Sequence, residues 1–150
     1  MAQTTSGAGI PPAINNTIKF ILRSPLHGIL SKNFLLINFV GRKSGKTFTT
    51  PVSYSRDGNY LYVFTHATWW KNLQPTTPIT LRLRGKDVQG LPEPVVEDKK
   101  AVAAGLMAHL RRSPYDASFY GVTLDKDKNP RPDEVEVGAQ TTVMIRIALC

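Results

Sequence analysis

Residues 34–55 read FLLINFVGRKSGKTFTTPVSYS, and these two runs of strand-forming residues around a basic turn decide the fold. The turn ends in the Gly-Lys-Thr of a phosphate-binding loop, but three residues separate Gly41 from Gly45, where that loop has four. The residues after the turn are β-branched and aromatic and lack a helical apolar period, whereas a phosphate-binding loop leads into a helix. The stretch therefore predicts two strands joined by a cationic turn, and it excludes a P-loop.

The rest of the chain predicts a small antiparallel barrel. Apolar and polar residues alternate at residues 79–84 and 143–149, which is typical of strands with one buried face. Strands are expected at 33–40, 47–55, 59–66, 78–84, 86–92 and 141–149, and helices at 14–31, 70–73 and 97–112. The fold class is therefore mainly β with flanking helices (α+β), one domain at 14–150 behind a flexible arm at 1–13. The charged, proline-containing segment 125–137 is predicted to be a mobile loop.

Composition narrows the function classes. The net charge is +8 and the pI about 9.8, so anionic partners are favoured: nucleic acid, acidic lipid or a phosphorylated small molecule. Residues 80–84 offer arginines without interleaved aromatic residues, which argues against nucleic acid. The single cysteine, Cys150, the absence of a signal-like start and the absence of a long apolar stretch predict a cytoplasmic protein without a transmembrane segment.

Five short motifs, in this order and spacing, resemble the deazaflavin-dependent nitroreductase family, whose members are split β-barrels of the FMN-binding-like type. The motifs are RSPLH at 23–27, GRKSGK at 41–46, TTPV at 49–52, RDG at 56–58 and WWKNL at 69–73. The resemblance runs from about residue 18 to residue 91 and is looser beyond. It implies about six antiparallel strands and the deazaflavin coenzyme F420, whose tail carries a phosphodiester and several glutamates.

The resemblance also implies where the coenzyme tail binds. Arg42, Lys43 and Lys46, with the Ser44 side chain and the Gly45 backbone, would form an anion-binding turn, followed by Thr49, Thr50 and Pro51. The alternative is a hairpin tip whose charges are simply solvated, which is the commoner fate of such a cluster. Many members of the family have a second Pro-Arg pair where this chain has residues 47 and 48, so one phosphate contact is expected to be missing, unless Lys46 replaces it or the tail lies differently.

The resemblance also implies which residues lie beside the coenzyme ring and which residues take part in catalysis. Thr65, His66, Trp69, Trp70 and Asn72 are expected to flank the ring, and Tyr115, Tyr120 and His66 are the candidate catalytic residues, as proton donors to the substrate. Alternatively, the tryptophans anchor and cover the core, the tyrosines pack a short helix on the barrel, and His66 is an ordinary strand-end residue. His27 and His109 lie in helical patterns and are expected to be ordinary, partly buried residues.

No metal site is predicted. The acidic residues of segment 125–136 follow calcium-loop spacing, but Pro130 stands where such a loop requires glycine. No paired cysteines or His-Glu-x-x-His motif suggest zinc.

The expected function is an F420-dependent oxidoreductase that transfers a hydride to a small acceptor: a nitro compound, a quinone or an enone. Hydride transfer requires few catalytic side chains, because the cofactor supplies the reactive carbon. An FMN-binding oxidoreductase of the same fold and a deazaflavin carrier without turnover are the alternatives. A homodimer and peripheral membrane contact stay open, and no nucleic-acid partner is expected.

Overall fold

The computed structural model describes residues 34–150 and shows an antiparallel barrel. Its six strands close in the order β1-β2-β3-β6-β5-β4, with β4 pairing back onto β1. The strands are β1 Phe34–Val40, β2 Thr47–Asp57, β3 Tyr60–Thr65, β4 Ile79–Leu83, β5 Lys86–Val95 and β6 Val143–Leu149. The predicted α+β split barrel of six strands is therefore confirmed, with strand ends within three residues of those expected.

The barrel interior is filled by the alternating apolar residues that the sequence places on one face of each strand. Leu35, Leu61, Val63, Leu81 and Ile145 are fully buried there. The hairpin between β4 and β5 turns at Arg84 and Gly85, which both have positive φ (51° and 83°). This backbone suits the twist of a two-residue hairpin, so the register of β4 on β5 is fixed locally.

Within residues 34–150, two α-helices and two short 3-10 helices lie outside the strands. They are the 3-10 helices Trp69–Asn72 and Pro114–Tyr120, and the α-helices α1 Lys99–Arg112 and α2 Pro132–Ala139. Asp98 caps the N-terminus of helix α1, because its side chain accepts a hydrogen bond from the Ala101 N–H at 3.1 Å. It buries Val102, Leu106 and Leu110 in a second apolar cluster that contains Phe64 and Met144 from the outer face of the sheet. A Cβ at Gly105 would lie 2.5 Å from Met144 Sδ, so this glycine lets α1 approach the sheet closely.

The predicted loop at 125–137 is wrong in its second half. Pro132 begins α2, and Val135 and Ala139 of this helix are buried in the second cluster. The helix has eight residues and only two of them face inward, while Val137 is apolar but exposed, so the helix lacks a clear apolar period. The predicted arm at 1–13 and helix at 14–31 lie outside the described residues. Among the described helices, none has the length and apolarity needed to cross a membrane.

Candidate functional site

The basic turn between β1 and β2 is closed by its own backbone. The Gly41 N–H donates to the Lys46 carbonyl at 2.8 Å, and the Gly45 N–H donates to the Gly41 carbonyl at 2.9 Å. The Lys46 N–H donates to Ser44 Oγ at 3.2 Å. Because Gly45 uses its N–H within the turn, an anion would meet the side chains of this turn rather than a nest that includes Gly45. The side chains of residues 42–46 are exposed.

Asn72 ties this turn to the 3-10 helix that carries the two tryptophans. The Arg42 N–H donates to Asn72 Oδ1 at 2.9 Å, and Asn72 Nδ2 donates to the Trp69 carbonyl at 2.9 Å. One amide side chain therefore holds two motifs together that lie 30 residues apart in sequence. The cationic turn and the tryptophan segment form one surface.

The two tryptophans are half-buried and have different surroundings. Trp69 stacks on Phe39 with ring centroids 5.6 Å apart and an interplanar angle of 20°. Both tryptophans pack against the apolar residues of the barrel interior. Trp70 also lines an open groove, and the Lys71 ammonium lies 5.9 Å from the Trp70 ring centroid.

This groove, called here the α1 groove, lies between α1 and the outer face of the sheet and has a volume of about 1070 Å³. Its lining includes Ser55, Tyr62, Trp70, His109, Arg112 and Met144. The volume is slightly above the usual range of small-molecule sites, about 300–1,000 Å³. None of the residues of the basic turn lines it, so Trp70 is what connects the tryptophan segment to the groove.

The predicted contacts on β2 do not share one face. Thr49 Oγ1 donates to Asn38 Oδ1 at 2.5 Å on the outer surface of β1 and β2. Thr50 lies between Phe48 and Val52, which contact the barrel core, so its side chain faces inward. Pro51 is buried. A single ligand therefore cannot contact both threonine side chains from one side of the sheet.

His66 and Thr65 lie at the end of β3. Thr65 is buried and its hydroxyl oxygen accepts from the Ala67 N–H at 3.0 Å. His66 Nε2 lies 3.0 Å from Thr142 Oγ1, whose own proton is donated to the Gly138 carbonyl at 2.8 Å. Nε2 must therefore carry the hydrogen in this pair. Burial lowers the pKa of His66, which favours the neutral ring and disfavours its use as a stored proton at neutral pH.

The two candidate tyrosines occupy different environments. Tyr115 is 59% exposed, whereas Tyr120 is buried and its hydroxyl donates to the Phe64 carbonyl at 3.4 Å. The Tyr120 ring packs edge-on against His66 with centroids 5.3 Å apart. Burial, and secondly the nearby Asp116 carboxylate, raise the pKa of Tyr120. Neither tyrosine lines the α1 groove.

Sequence reasoning missed a buried polar cluster between β2, α1 and the second 3-10 helix. His109, expected to be only partly buried, has no exposed surface, and Nε2 lies 2.9 Å from Asp116 Oδ2. Ser55 Oγ lies 2.5 Å from His109 Nδ1, and Ser53 Oγ donates to Asp116 Oδ2 at 2.7 Å. The sequence feature that could have indicated this cluster is the spacing of Ser53 and Ser55, because residues two apart in a strand place their hydroxyls on the same face, here the outer face of β2.

The described part of the chain contains no group of three or more His, Cys, Asp or Glu residues arranged to hold a metal ion. Asp125 instead stabilises its own loop, because Oδ1 accepts from the N–H groups of Asp127 and Asn129 at 2.9 and 3.0 Å.

One family model matches the chain. It is described as F420H(2)-dependent quinone reductase and covers residues 24–122. This range contains the basic turn, the tryptophan segment, Ser55 and Asp116. No curated protein matches the sequence.

Solved structures share the barrel. A candidate 5-nitroimidazole antibiotic resistance protein from Bacteroides thetaiotaomicron has a TM-score of 0.54 at 10% identity, over 82% of this chain and 76% of that one. A conserved hypothetical protein from Mycobacterium tuberculosis has a TM-score of 0.53 at 14% identity, over 99% and 86%. A structure described as a domain-swapped dimer has a TM-score of 0.52 at 12% identity, over 88% and 93%. At such identities these likenesses concern the fold alone.

Proposed function

Since the chain belongs to the F420H(2)-dependent quinone reductase family, we propose that it transfers a hydride from reduced F420 to a quinone bound beside Trp70. F420 as the cofactor and an oxidoreductase activity follow from the family and agree with the sequence prediction. The choice of a quinone over a nitro compound or an enone is our proposal.

The observation that carries the proposal is the hydrogen bond between the Arg42 N–H and Asn72 Oδ1. It joins a cluster of exposed cations to an indole that lines a groove of small-molecule size. A coenzyme with a polyanionic tail and a flat ring requires cationic side chains for the tail and an aromatic surface for the ring, close to each other. The residues present therefore fit F420.

In this proposal Arg42, Lys43 and Lys46 hold the anionic tail by charge-assisted hydrogen bonds through their side chains. Trp70 provides an apolar wall for the ring or for the acceptor, and Asn72 keeps the turn and this wall in register. When bound, F420 supplies the hydride. The protein contributes orientation and exclusion of water, which are the main demands of hydride transfer.

The test is reduction of 2-methyl-1,4-naphthoquinone, an enone (2-cyclohexen-1-one) and a nitroimidazole by purified protein with F420H2. We expect the quinone to give the highest kcat/KM. Turnover of the nitroimidazole or the enone at a higher kcat/KM than the quinone would refute the acceptor class, and parallel assays with reduced FMN would reveal a flavin enzyme. F420 binding without turnover of any acceptor would favour the carrier alternative.

We propose further that the protein is a cytoplasmic homodimer. The motivation for the dimer is the neighbour described as a domain-swapped dimer, and that for the location is the cysteine usage of the sequence. Sedimentation of the purified protein at micromolar concentration tests the dimer, because a monomer there would contradict it. Cell fractionation tests the location, and recovery of the protein with the membranes would indicate peripheral contact instead.

A further inference from the structure

The buried cluster of Ser55, His109 and Asp116 links the interior of the helix–sheet interface to the α1 groove. Asp116 is 4% exposed, Ser55 is 8% exposed and His109 has no exposed surface, and both Ser55 and His109 are among the residues that line the groove. Three different elements contribute one residue each: β2, α1 and the second 3-10 helix. Such a cluster requires each polar group to be satisfied, because unpaired buried groups are costly.

The hydrogen bonds of the cluster have a defined direction. The Asp116 carboxylate accepts from Ser53 and from His109 Nε2–H, since both contacts are made to Oδ2 at 2.7 and 2.9 Å. His109 Nδ1 therefore faces Ser55 Oγ at 2.5 Å. When the ring is neutral, Ser55 donates to Nδ1, and when the ring is an imidazolium, Nδ1–H donates to Ser55. A proton can move between the ring and the hydroxyl without rearrangement of heavy atoms.

The α1 groove brings this hydroxyl into the same space as Trp70. Reduction of a quinone requires one hydride and then one proton on the resulting oxyanion. Tyr120 is unsuited to supply that proton, since its hydroxyl is buried and donates to a backbone carbonyl. Burial lowers the pKa of His66 and so disfavours its protonated form, and its Nε2–H is donated to Thr142.

We propose that Ser55, His109 and Asp116 form a proton relay that protonates the reduced acceptor in the α1 groove. The inference rests on the proposed quinone reductase function and names the proton source for it. The Ser55 hydroxyl gives its proton to the acceptor oxygen and takes one from His109 Nδ1. The ring becomes neutral, Asp116 keeps Nε2–H in place, and solvent returns a proton to Nδ1 through Ser55. The proton balance matches the single proton added to the acceptor.

Ser55 is the catalytic residue of this relay, because it alone would touch the acceptor. His109 and Asp116 are positioning and proton-storing residues that act through it. Arg112, which also lines the groove, donates to the backbone carbonyl of Arg56, the neighbour of Ser55. This places a guanidinium close to the site at which negative charge develops on the acceptor.

The first experiment needs no cofactor. The chain has three histidines, so ¹⁵N-histidine NMR with His27→Gln and His66→Gln variants assigns the His109 resonances. Addition of 2-methyl-1,4-naphthoquinone should shift the His109 Nδ1 resonance in the native protein and in Ser55→Thr, but not in Ser55→Ala. If the His109 resonance of the native protein does not shift when the quinone is added, the relay is wrong.

The second experiment measures turnover with F420H2 and the same quinone. General acid catalysis contributes at least about a hundredfold, so Ser55→Ala should lower kcat by about a hundredfold with little change in KM. Ser55→Thr restores a hydroxyl and should recover most of this loss. Ser53→Ala removes a hydroxyl from the same cluster away from the groove and should lower kcat by less than about fivefold.

The outcomes separate the relay from the proposed function. If Ser55→Ala retains kcat within about threefold, or if Ser53→Ala loses as much as Ser55→Ala, the relay is wrong while the reductase function stands. If the native protein binds F420 and fails to reduce the quinone, the proposed function is wrong, and the NMR experiment still decides whether His109 senses a groove ligand. Melting temperatures of all variants exclude unfolding as the cause.

Discussion

Replacing Asn72 by alanine should weaken F420 binding by separating the basic turn from the tryptophan segment. The substitution removes two hydrogen bonds of 2.9 Å, one from the Arg42 N–H and one to the Trp69 carbonyl. Each is worth about 0.5–1.5 kcal/mol net, and their partial exposure places the pair at about 1–2 kcal/mol. The turn would then have to be ordered at the moment of binding rather than during folding. Since 1.4 kcal/mol is tenfold in affinity, we expect the Kd for F420 to rise about 5- to 30-fold.

Isothermal titration calorimetry with F420 measures this effect, with two companion variants. Gln89→Ala removes an exposed hydrogen bond to Thr80 (2.8 Å) that involves no residue of the turn or of the tryptophan segment, and it should leave the Kd unchanged. Asn72→Asp keeps an acceptor for the Arg42 N–H but places a negative charge beside the cations, so its loss of affinity should exceed that of Asn72→Ala at low salt and shrink as salt screens the charge. An Asn72→Ala protein that binds F420 within twofold of the native Kd would refute the reasoning.

Three further predictions concern stability. Gly138→Ala places a Cβ 2.6 Å from the Tyr120 carbonyl oxygen, and because the backbone cannot yield locally we expect a net loss of about 1–2 kcal/mol in urea unfolding; a more stable variant would contradict this. The Glu134 pKa is lowered mainly by the hydrogen bond from the Thr123 hydroxyl, so this carboxylate adds stability above pH 4.5 that is lost as pH falls. The melting-temperature difference between native protein and Glu134→Gln should therefore shrink as pH falls below 4.5, and a constant difference would count against it. Burial lowers the His66 pKa from 6.5, so native stability should decline as pH falls below 6.5, with a smaller decline in His66→Gln; parallel curves would show that His66 plays no part.

The barrel could be predicted from the sequence because each strand carries a local signal. Alternation of apolar and polar residues in β4 and β6 and the turn residues between β2 and β3 are properties of a few neighbouring positions. Helix α2 escaped prediction because only Val135 and Ala139 of its eight residues are buried. This helix is stabilised by packing against other elements, and the pattern of residues within the helix does not reveal such packing.

The candidate site could be predicted in part. The basic turn and the tryptophan segment were found by their motifs, whereas the bond from the Arg42 N–H to Asn72 depends on how the barrel closes. The cluster of Ser55, His109 and Asp116 was missed for the same reason. Its members lie 54 and 7 residues apart, and only the packing of α1 on β2 brings them together. The sequence around a histidine on the buried face of a helix does not reveal which residues will form hydrogen bonds with it.

The most direct test of the account is the affinity of F420 for a protein in which Arg42, Lys43 and Lys46 are all replaced by alanine. At about 1 kcal/mol for each exposed cation, the Kd at low salt should rise about a hundredfold, and its dependence on salt should largely disappear. A control that loses three exposed lysines elsewhere, Lys86, Lys100 and Lys126, has the same net charge and should bind within about threefold of the native protein. If both variants bind F420 equally well, the basic turn does not hold the coenzyme and the account is contradicted.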